Sequence, residues 1–348
     1  MASERDGWWR PDRFDRKRPY LAVRGRVIDA IRAFFRAEGF VEVETPALQT
    51  SPGLEPHLRA FATLLDEPRE GGGRPMFLHT SPEFAMKKLL AAGMPRIFQL
   101  AHAFRNGERG TLHAPEFLLL EWYCAYASYR DLMRDCERLL RAVGTAVGGA
   151  QFRWRGRATD PNAAWQHLTV AEAFARHCGI DLLATCADPA APSLAQLADA
   201  ARPIGIAPHA GDDWEDLFFR IFLERIEPML GIGAPTVLFD YPVSMAALAR
   251  RKPDDPRLAE RFELYVCGLE LANAFGELTD PDEQGARFRA DQAKRRARYG
   301  EAYPIDEDFL AALAHMPESA GIALGVDRLV MLASGAERIE DVLWAPVA

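Results

Sequence analysis

The chain has 348 residues, 49% of them hydrophobic and 26% charged, the balance of a globular protein that buries a large core without disulfide or metal staples. Its longest run free of Asp, Glu, Lys and Arg spans Pro228 to Phe239, well short of the roughly 20 apolar residues a membrane-spanning helix needs. A net charge of −8 gives no broad basic surface for polyanions, and the N-terminal arginines (Arg5, Arg10, Arg13) lack the apolar stretch of a secretory signal.

In chain order, Val27, Ile28, Ile31, Phe34 and Phe35 recur at helical spacing, and Gly39 caps a helix that starts near Leu21. Phe40 to Thr45 alternates like a strand and stops at Pro46. Ser81 as N-cap and Pro82 at the first helical position open a second helix, which closes at Gly93. Arg96 to Phe104 reads as a strand and Arg105 to Gly110 as a charged loop. Phe117 to Ala125 reads as a strand with Phe117, Leu119, Glu121 and Tyr123 on one face and Leu118, Leu120, Trp122 and Cys124 on the other.

Residues 144–165 and 185–213, rich in Ala, Gly, Pro and Asp, read as loops. Short helices are expected at Val170 to Phe174 and from Trp214 through Leu217, Phe218 and Ile221. Arg261 to Cys267 is a strand broken by Gly268, and the run from Arg287 to Arg298 is a charged helix with a solvated face. A last strand, Gly321 to Gly325, enters a helix whose Val326, Leu329, Val330 and Ala333 share one face. The pattern predicts an α+β fold with an antiparallel sheet flanked by helices. It also predicts one domain over residues 1–348, in which residues 1–20 are a basic, aromatic arm. Five cysteines without a C-x-x-C pair point to reduced thiols in a cytoplasm.

Three segments carry chemistry. Arg105, Arg109 and His113 lie in a loop between two strands, beside Phe117, Glu121 and Tyr123, where a planar guanidinium suits a phosphate and an aromatic ring suits a base. Glu263, Glu270 and Glu277 repeat every seven residues among apolar neighbours, so they want a cation, either Mg²⁺ or a substrate ammonium. In the run Gly321 to Arg328 a strand feeds a helix with an arginine in its first turn, a placement against the helix dipole that suits an anion. Taken singly, each has a plainer reading: a solvated loop arginine, exposed carboxylates on alternating faces, a helix start with one exposed arginine.

Taken together, GFVEVETP, TSPEFAMKKLL with FQLAHAFRNGERGTLHAPEFLLLEWY, and GIALGVDRLVML preceded by ERFELYVCGLELANAFGELTD resemble the three signature motifs of class II aminoacyl-tRNA synthetases, in particular the lysyl branch. The likeness runs from about Leu21 to Trp344. It implies that Arg105 clamps the α-phosphate of ATP and Arg328 the γ-phosphate. Phe117 stacks under adenine, with Asn106 and His113 near the nucleotide, and Leu271 and Gly325 line its pocket. Glu263 and Glu270 hold Mg²⁺. Ser81, Pro82, Glu83 and Tyr123 shape and contact the amino-acid site, and Glu277 takes a distant ammonium, with Asn273 and Phe275 beside it. Two positions depart from the motif: Gly107 stands where the family has Glu, and Ala114 where it has Asn.

A helix opening near Leu21 leaves no room for the anticodon-binding module of lysyl-tRNA synthetases, so tRNA is not the expected acceptor. The truncated layout instead resembles the elongation factor P–(R)-β-lysine ligases, a paralogous family that also shares Ala323 in place of Gly. That resemblance implies an ATP- and Mg²⁺-dependent, AMP-forming ligase, a cytoplasmic homodimer that activates (R)-β-lysine or lysine and passes it to a lysine of elongation factor P. Alternatives are an aminoacyl-tRNA or small-molecule amide ligase, and a catalytically silent paralogue.

Overall fold

Residues Pro11–Ala37 form one long helix, α1, so the first helix starts ten residues earlier than its apolar spacing suggests. Pro11 occupies the first helical turn, where its fixed φ and missing N–H fit, and the first turns are polar because they have no core to face. The expected arm is thus helical from residue 11, and residues 1–6 lie outside the described part of the chain. The computed structural model describes residues 7–67, 72–149 and 151–347.

The main sheet has eight strands. In chain order β1 is Val41–Glu42, β2 Arg96–Phe104, β3 Glu116–Ala125 and β4 Gln166–Thr169. β5 (Thr236–Pro242), β6 (Leu258–Val266), β7 (Leu269–Gly276) and β8 (Ser319–Gly325) complete it. The spatial order is β1-β2-β3-β8-β7-β6-β5-β4. Neighbours from β2 to β5 pair antiparallel, whereas β1 joins β2 and β4 joins β5 in parallel. The antiparallel sheet read from the sequence is therefore the centre of a mixed one. Both edge strands reach their neighbours through long crossover connections, one through a small sheet and an α-helix and the other through three α-helices, as parallel pairing requires. Of the alternating run Phe40 to Thr45, only Val41 and Glu42 enter the ladder.

The helices follow the same chain order. α2 is Glu83–Ala91, α3 Tyr129–Val147, α4 Val170–Cys178, α5 Leu194–Ala201 and α6 Trp214–Ile221. α7 is Pro281–Tyr299, α8 Glu307–Leu313 and α9 Val326–Ser334. α2 begins one residue later than expected, with Pro82 in the cap and Ser81 Oγ accepting from the Glu83 N–H at 3.1 Å. A small three-stranded sheet (Leu48–Gln49, Phe61–Glu67, Gly72–Leu78) lies between β1 and α2 in the chain.

Two segments read as loops are structured. Phe152–Trp154 and Arg157–Thr159 form a hairpin whose turn, Arg155 and Gly156, takes φ +46 and +76. Within 185–213, α5 forms on an Ala-rich stretch whose Leu197 and Ala201 are buried, with Ser193 capping it through the Gln196 N–H. Alanine and proline dominate the composition there and mask the short helical period. α4, α5 and α6 share a core of Phe174, Leu197, Trp214 and Phe218 that packs on β5 through Leu238 and Tyr241. The charged helix α7 is not wholly solvated. Arg295 is 1% exposed and donates to the carbonyls of Pro56 and Leu58 and to the Tyr303 hydroxyl.

The two faces of β3 divide the molecule as the alternation predicts. Leu118, Leu120, Trp122 and Cys124 enter the main core with Val27, Ile31 and Phe35 of α1, Leu139 of α3 and Leu329 of α9. The other face, with Phe117, Glu121 and Tyr123, opens into a cavity. One buried ion pair ties these layers together: Arg24 of α1 meets Asp327 of α9, Asp327 Oδ2 accepts the Leu118 N–H at 2.7 Å, and Arg24 also donates to the Val342 carbonyl. Both side chains are under 10% exposed, so removing one partner strands the other charge. Arg24→Met is expected to destabilise the protein by about 3–5 kcal/mol, read as a lowered midpoint of urea unfolding; an unchanged midpoint would show that the pair does not join the layers.

Candidate active site

The site is written into the register of four adjacent strands. Opposite one another across the sheet stand Tyr123 of β3, Gly321 of β8, Phe275 of β7 and Arg261 of β6. The next row reads Glu121, Ala323, Asn273 and Glu263. Since paired residues share a face, all eight positions face the same way. Past Ser319, β8 contributes Gly321, Ala323 and Gly325 to that face, and the missing side chains leave a hollow. The cavity above has a volume of about 460 Å³. At Gly321 a Cβ would lie 2.1 Å from Tyr123 Cε1 and 2.3 Å from Glu277 Oε1, so only glycine fits.

The three glutamates at seven-residue spacing reach this face through two backbone devices. Cys267 and Gly268, at φ +56 and +76, make the tight turn between β6 and β7. The register then shifts: Tyr265 pairs with Glu270 but Leu264 pairs with Ala272, leaving Leu271 as a bulge. Without that extra residue Glu270 would share its face with Ala272 rather than with Asn273 and Phe275. The bulge is what puts Glu263, Glu270 and Glu277 on one side.

The phosphate-like end of the cavity is cationic. Arg328 donates to the Glu270 carbonyl at 2.8 Å and sits 2.9 Å from His113 Nε2. Burial, and then the Arg328 charge, hold His113 below the usual histidine pKa, so the neutral ring accepts from Arg328. The Arg105 guanidinium lies over the Phe117 ring at 5.0 Å, with its Nε buried and without a hydrogen-bond acceptor. Glu263 is held by three donors: Tyr241 at 2.6 Å and Tyr265 on Oε2, and Arg261 at 2.6 Å on Oε1. The Glu270 carboxylate has no hydrogen-bond partner among the described residues, and burial together with Glu263 pushes its pKa up to about 7.

The opposite end is anionic. Glu277 is 1% exposed, with Oε2 2.6 Å from Lys87 Nζ and Oε1 buried without a donor. Lys87, itself buried, also pairs with Glu83 one turn earlier on α2. Burial works against the Lys87 ammonium, but the carboxylates of Glu277 and Glu83 outweigh it and hold its pKa above the ordinary lysine value. Burial, then Glu83, pushes the Glu121 carboxyl up to about 8, while it accepts from Ser81 at 2.6 Å and Tyr123 at 2.9 Å.

Of the residues singled out from the sequence, Ser81, Glu83, Arg105, His113, Phe117 and Tyr123 line the cavity. So do Glu263, Glu270, Leu271, Asn273, Phe275, Gly325 and Arg328. Pro82 and Asn106 do not; Pro82 caps α2, and the Asn106 N–H donates to the Arg59 carbonyl at 2.6 Å. Glu277 lies just behind the wall, beside Gly321 and Tyr123. The departures from the motif have local explanations. Gly107 takes φ +86, and Glu108 beside it lines the cavity, while Ala114 is buried against it.

Sequence reasoning missed Lys87 and Arg261. Lys87 stands four residues after Glu83 on a helix, which is one turn, and Arg261 stands two before Glu263 on a strand, which is the same face; both spacings were available. Glu121 was noted only for its face, and Glu55 and Phe219, which also line the cavity, carried no signal at all.

Comparison with known proteins agrees with this geometry. Residues 10–347 match the model of the family "tRNA synthetases class II (D, K and N)". Elongation factor P–(R)-β-lysine ligases of Sodalis glossinidius and Pectobacterium carotovorum subsp. carotovorum are each 42% identical over 326 residues, 93% of this chain and 93% of theirs. The enzyme of that name from Salmonella arizonae is 41% identical over 328 residues, 93% of this chain and 94% of its own. With motif, register and relatives in agreement, the chain belongs to the class II tRNA synthetase family, and within it stands with the elongation factor P–(R)-β-lysine ligases.

Proposed function

We propose that this protein activates (R)-β-lysine, or lysine, with ATP and transfers the acyl group to a lysine ε-amino group of elongation factor P. The observation that carries the reading is the buried Glu277 carboxylate, whose Oε1 lacks a donor, at the opposite end of the site from Arg105 and Arg328. Glu277 directly follows β7, seven residues beyond Glu270, whose carbonyl Arg328 holds, so roughly 20 Å of extended chain separates them. A lysine-type substrate beside ATP has the matching polarity: its carboxylate meets the α-phosphate, the phosphate chain runs on to Arg328, and its ammonium points toward Glu277. The names of the relatives supply the acceptor.

In the first step a carboxylate oxygen of the amino acid forms a bond to the α-phosphorus of ATP, and the bond to the bridging oxygen breaks, releasing pyrophosphate. Arg105 takes the α-phosphate and Arg328 the γ-phosphate, with the guanidinium of Arg328 already oriented by the Glu270 carbonyl and His113. Phe117 offers its ring to adenine, and Leu271 and Gly325 supply backbone to the nucleotide. In the second step the ε-amine of the acceptor attacks the acyl carbon, AMP leaves, and the amine sheds a proton as the amide forms. Positioning and charge neutralisation carry both steps.

The acidic pair fits a divalent cation. Glu270 is unpartnered and raised in pKa, and Glu263 Oε1 has one protein donor and a second lone pair, a donor set suited to Mg²⁺ completed by substrate phosphates. When bound there, Mg²⁺ supplies charge neutralisation on the phosphate oxygens. Ser81 and Tyr123 hold Glu121, and Glu83 faces the amine near the reacting carboxylate, while Asn273 and Phe275 flank the route to Glu277. The reading includes a cytoplasmic homodimer acting without tRNA; the free thiols support the compartment, and the net charge of −8 supports an acceptor other than tRNA.

Purified protein is expected to catalyse ATP–pyrophosphate exchange dependent on (R)-β-lysine and to raise the mass of elongation factor P by one lysyl unit. Exchange without a mass change would overturn the protein acceptor, and no exchange with any diamino acid would overturn the activity. Glu277→Gln is expected to raise the KM for the amino acid by about 100-fold, the loss of a charged hydrogen bond in a buried site, with the KM for ATP unchanged. Because burial and Glu263 push the Glu270 carboxyl up to about 7 and it binds metal only when ionised, the Mg²⁺ concentration for half-maximal exchange should rise as pH falls from 8 to 6. In Glu270→Gln that pH dependence should disappear, and its persistence would place the titrating group elsewhere.

A further inference from the structure

The loop from 51 to 60, between the small-sheet strands Leu48–Gln49 and Phe61–Glu67, brings one more carboxylate to the cavity wall, that of Glu55. Its Oε2 is buried without a hydrogen-bond partner, and no arginine or lysine forms an ion pair with it among the described residues. Burial first, and then the neighbouring Glu83, raise its pKa; its own backbone N–H, Arg105 and Lys87 pull it back. Lys87 cannot serve it as a partner, being committed to Glu83 and Glu277.

The loop around this carboxylate is held from several sides. The Thr80 N–H and hydroxyl both donate to the Pro52 carbonyl, at 3.0 and 2.7 Å. Buried Arg295 of α7 donates to the carbonyls of Pro56 and Leu58 at 2.9 and 2.7 Å, one on each side of His57. Gly53 leaves room for the side chain to fold inward: a Cβ there would lie 2.7 Å from Glu55 Oε2, and φ is +118. A loop anchored in this way around an unpaired buried carboxylate lowers stability in the free protein, because such a group costs desolvation without compensation. A cation that met this carboxylate would offset that cost.

We infer that Glu55 acts with Glu83 to bind the amine nearer the reacting carboxylate of the substrate, and that it is a specificity-determining residue for where that amine sits on the chain. The inference rests on the proposed diamino acid substrate. Glu83 is carried on α2 and Glu55 on the tethered loop, so the spacing between them is set by two separate elements. That spacing discriminates an amine one carbon farther from the carboxylate from one adjacent to it. The distal ammonium, held by Glu277, is indifferent to the difference.

Calorimetric titration of the wild type and Glu55→Gln with (R)-β-lysine and with 6-aminohexanoic acid tests this. The second ligand keeps the carboxylate and the terminal ammonium but lacks the nearer amine. The Kd for (R)-β-lysine should rise roughly 10- to 100-fold in Glu55→Gln, as expected on losing one charge-assisted hydrogen bond, while that for 6-aminohexanoic acid stays unchanged. Glu55→Asp, which keeps the charge, should recover part of the affinity for (R)-β-lysine only. Equal weakening of both ligands would reduce Glu55 to a structural role, and no change in either would remove it from the site; each result overturns the inference while leaving the substrate reading intact. A wild type that binds neither ligand would overturn the substrate reading, and this inference with it.

Discussion

The functional face depends on what β8 leaves out. A strand in the middle of an eight-stranded sheet, flanked on both sides, would ordinarily fill the surface above it with side chains. Gly321, Ala323 and Gly325 leave that surface open, and every functional group around the cavity leans over or toward them. The constraint is severe at Gly321, where Tyr123 and Glu277 already occupy the space of a Cβ. One methyl group there would push the ring and the carboxylate apart. At Ala323, one row along, a methyl is tolerated and narrows the floor between Glu121 and Asn273. Pocket shape at this scale is worth about 1–3 kcal/mol per methyl in discrimination between substrates.

Charge is then sorted around the cavity. Arg105, Arg328 and the Glu263–Arg261 pair gather on one side, while Glu83, Glu121 and Glu277 gather on the other with Lys87 paired to two of them. Burial makes this sorting consequential, since a like-charged cluster in low dielectric holds its charges only if a cation completes it. The raised pKa values of Glu121 and Glu270 express the same frustration from the two ends. Meanwhile the opposite face of the sheet is sealed by α1, α3 and α9. Through Arg24 and Asp327 it ties the helix bearing Arg328 to the strand bearing Phe117, so the packing of the core and the placement of the site share one ion pair.

Most of this was legible in the sequence where one residue period ran uninterrupted. The alternation of Phe117 to Ala125 gave both faces of β3 correctly, and the apolar spacing of Val27, Ile31 and Phe35 gave the buried stripe of α1. Legibility failed where a backbone device changed the period. The break at Gly268 left the parity of Glu263 and Glu270 undecided from sequence, and the bulge at Leu271, which brings Glu270 onto the face of Asn273 and Phe275, has no compositional mark. It failed again where composition drowned a short helix, at α5. Arg295 was hidden for a different reason: in a run of arginines nothing local distinguishes the one whose helix turns it onto the carbonyls of Pro56 and Leu58. Glu55 reads as a loop carboxylate until that contact is seen.

The central claim is that one sheet face holds a lysine-type adenylate end to end, with its cationic terminus at a buried glutamate. A crystal structure with a non-hydrolysable (R)-β-lysyl-adenylate analogue tests it most directly. The account predicts the terminal ammonium within hydrogen-bond distance of Glu277, the α-phosphate position against Arg105 and the adenine on Phe117. A ligand whose ammonium stops short of Glu277, or one bound with its adenine at the acidic end, would contradict it.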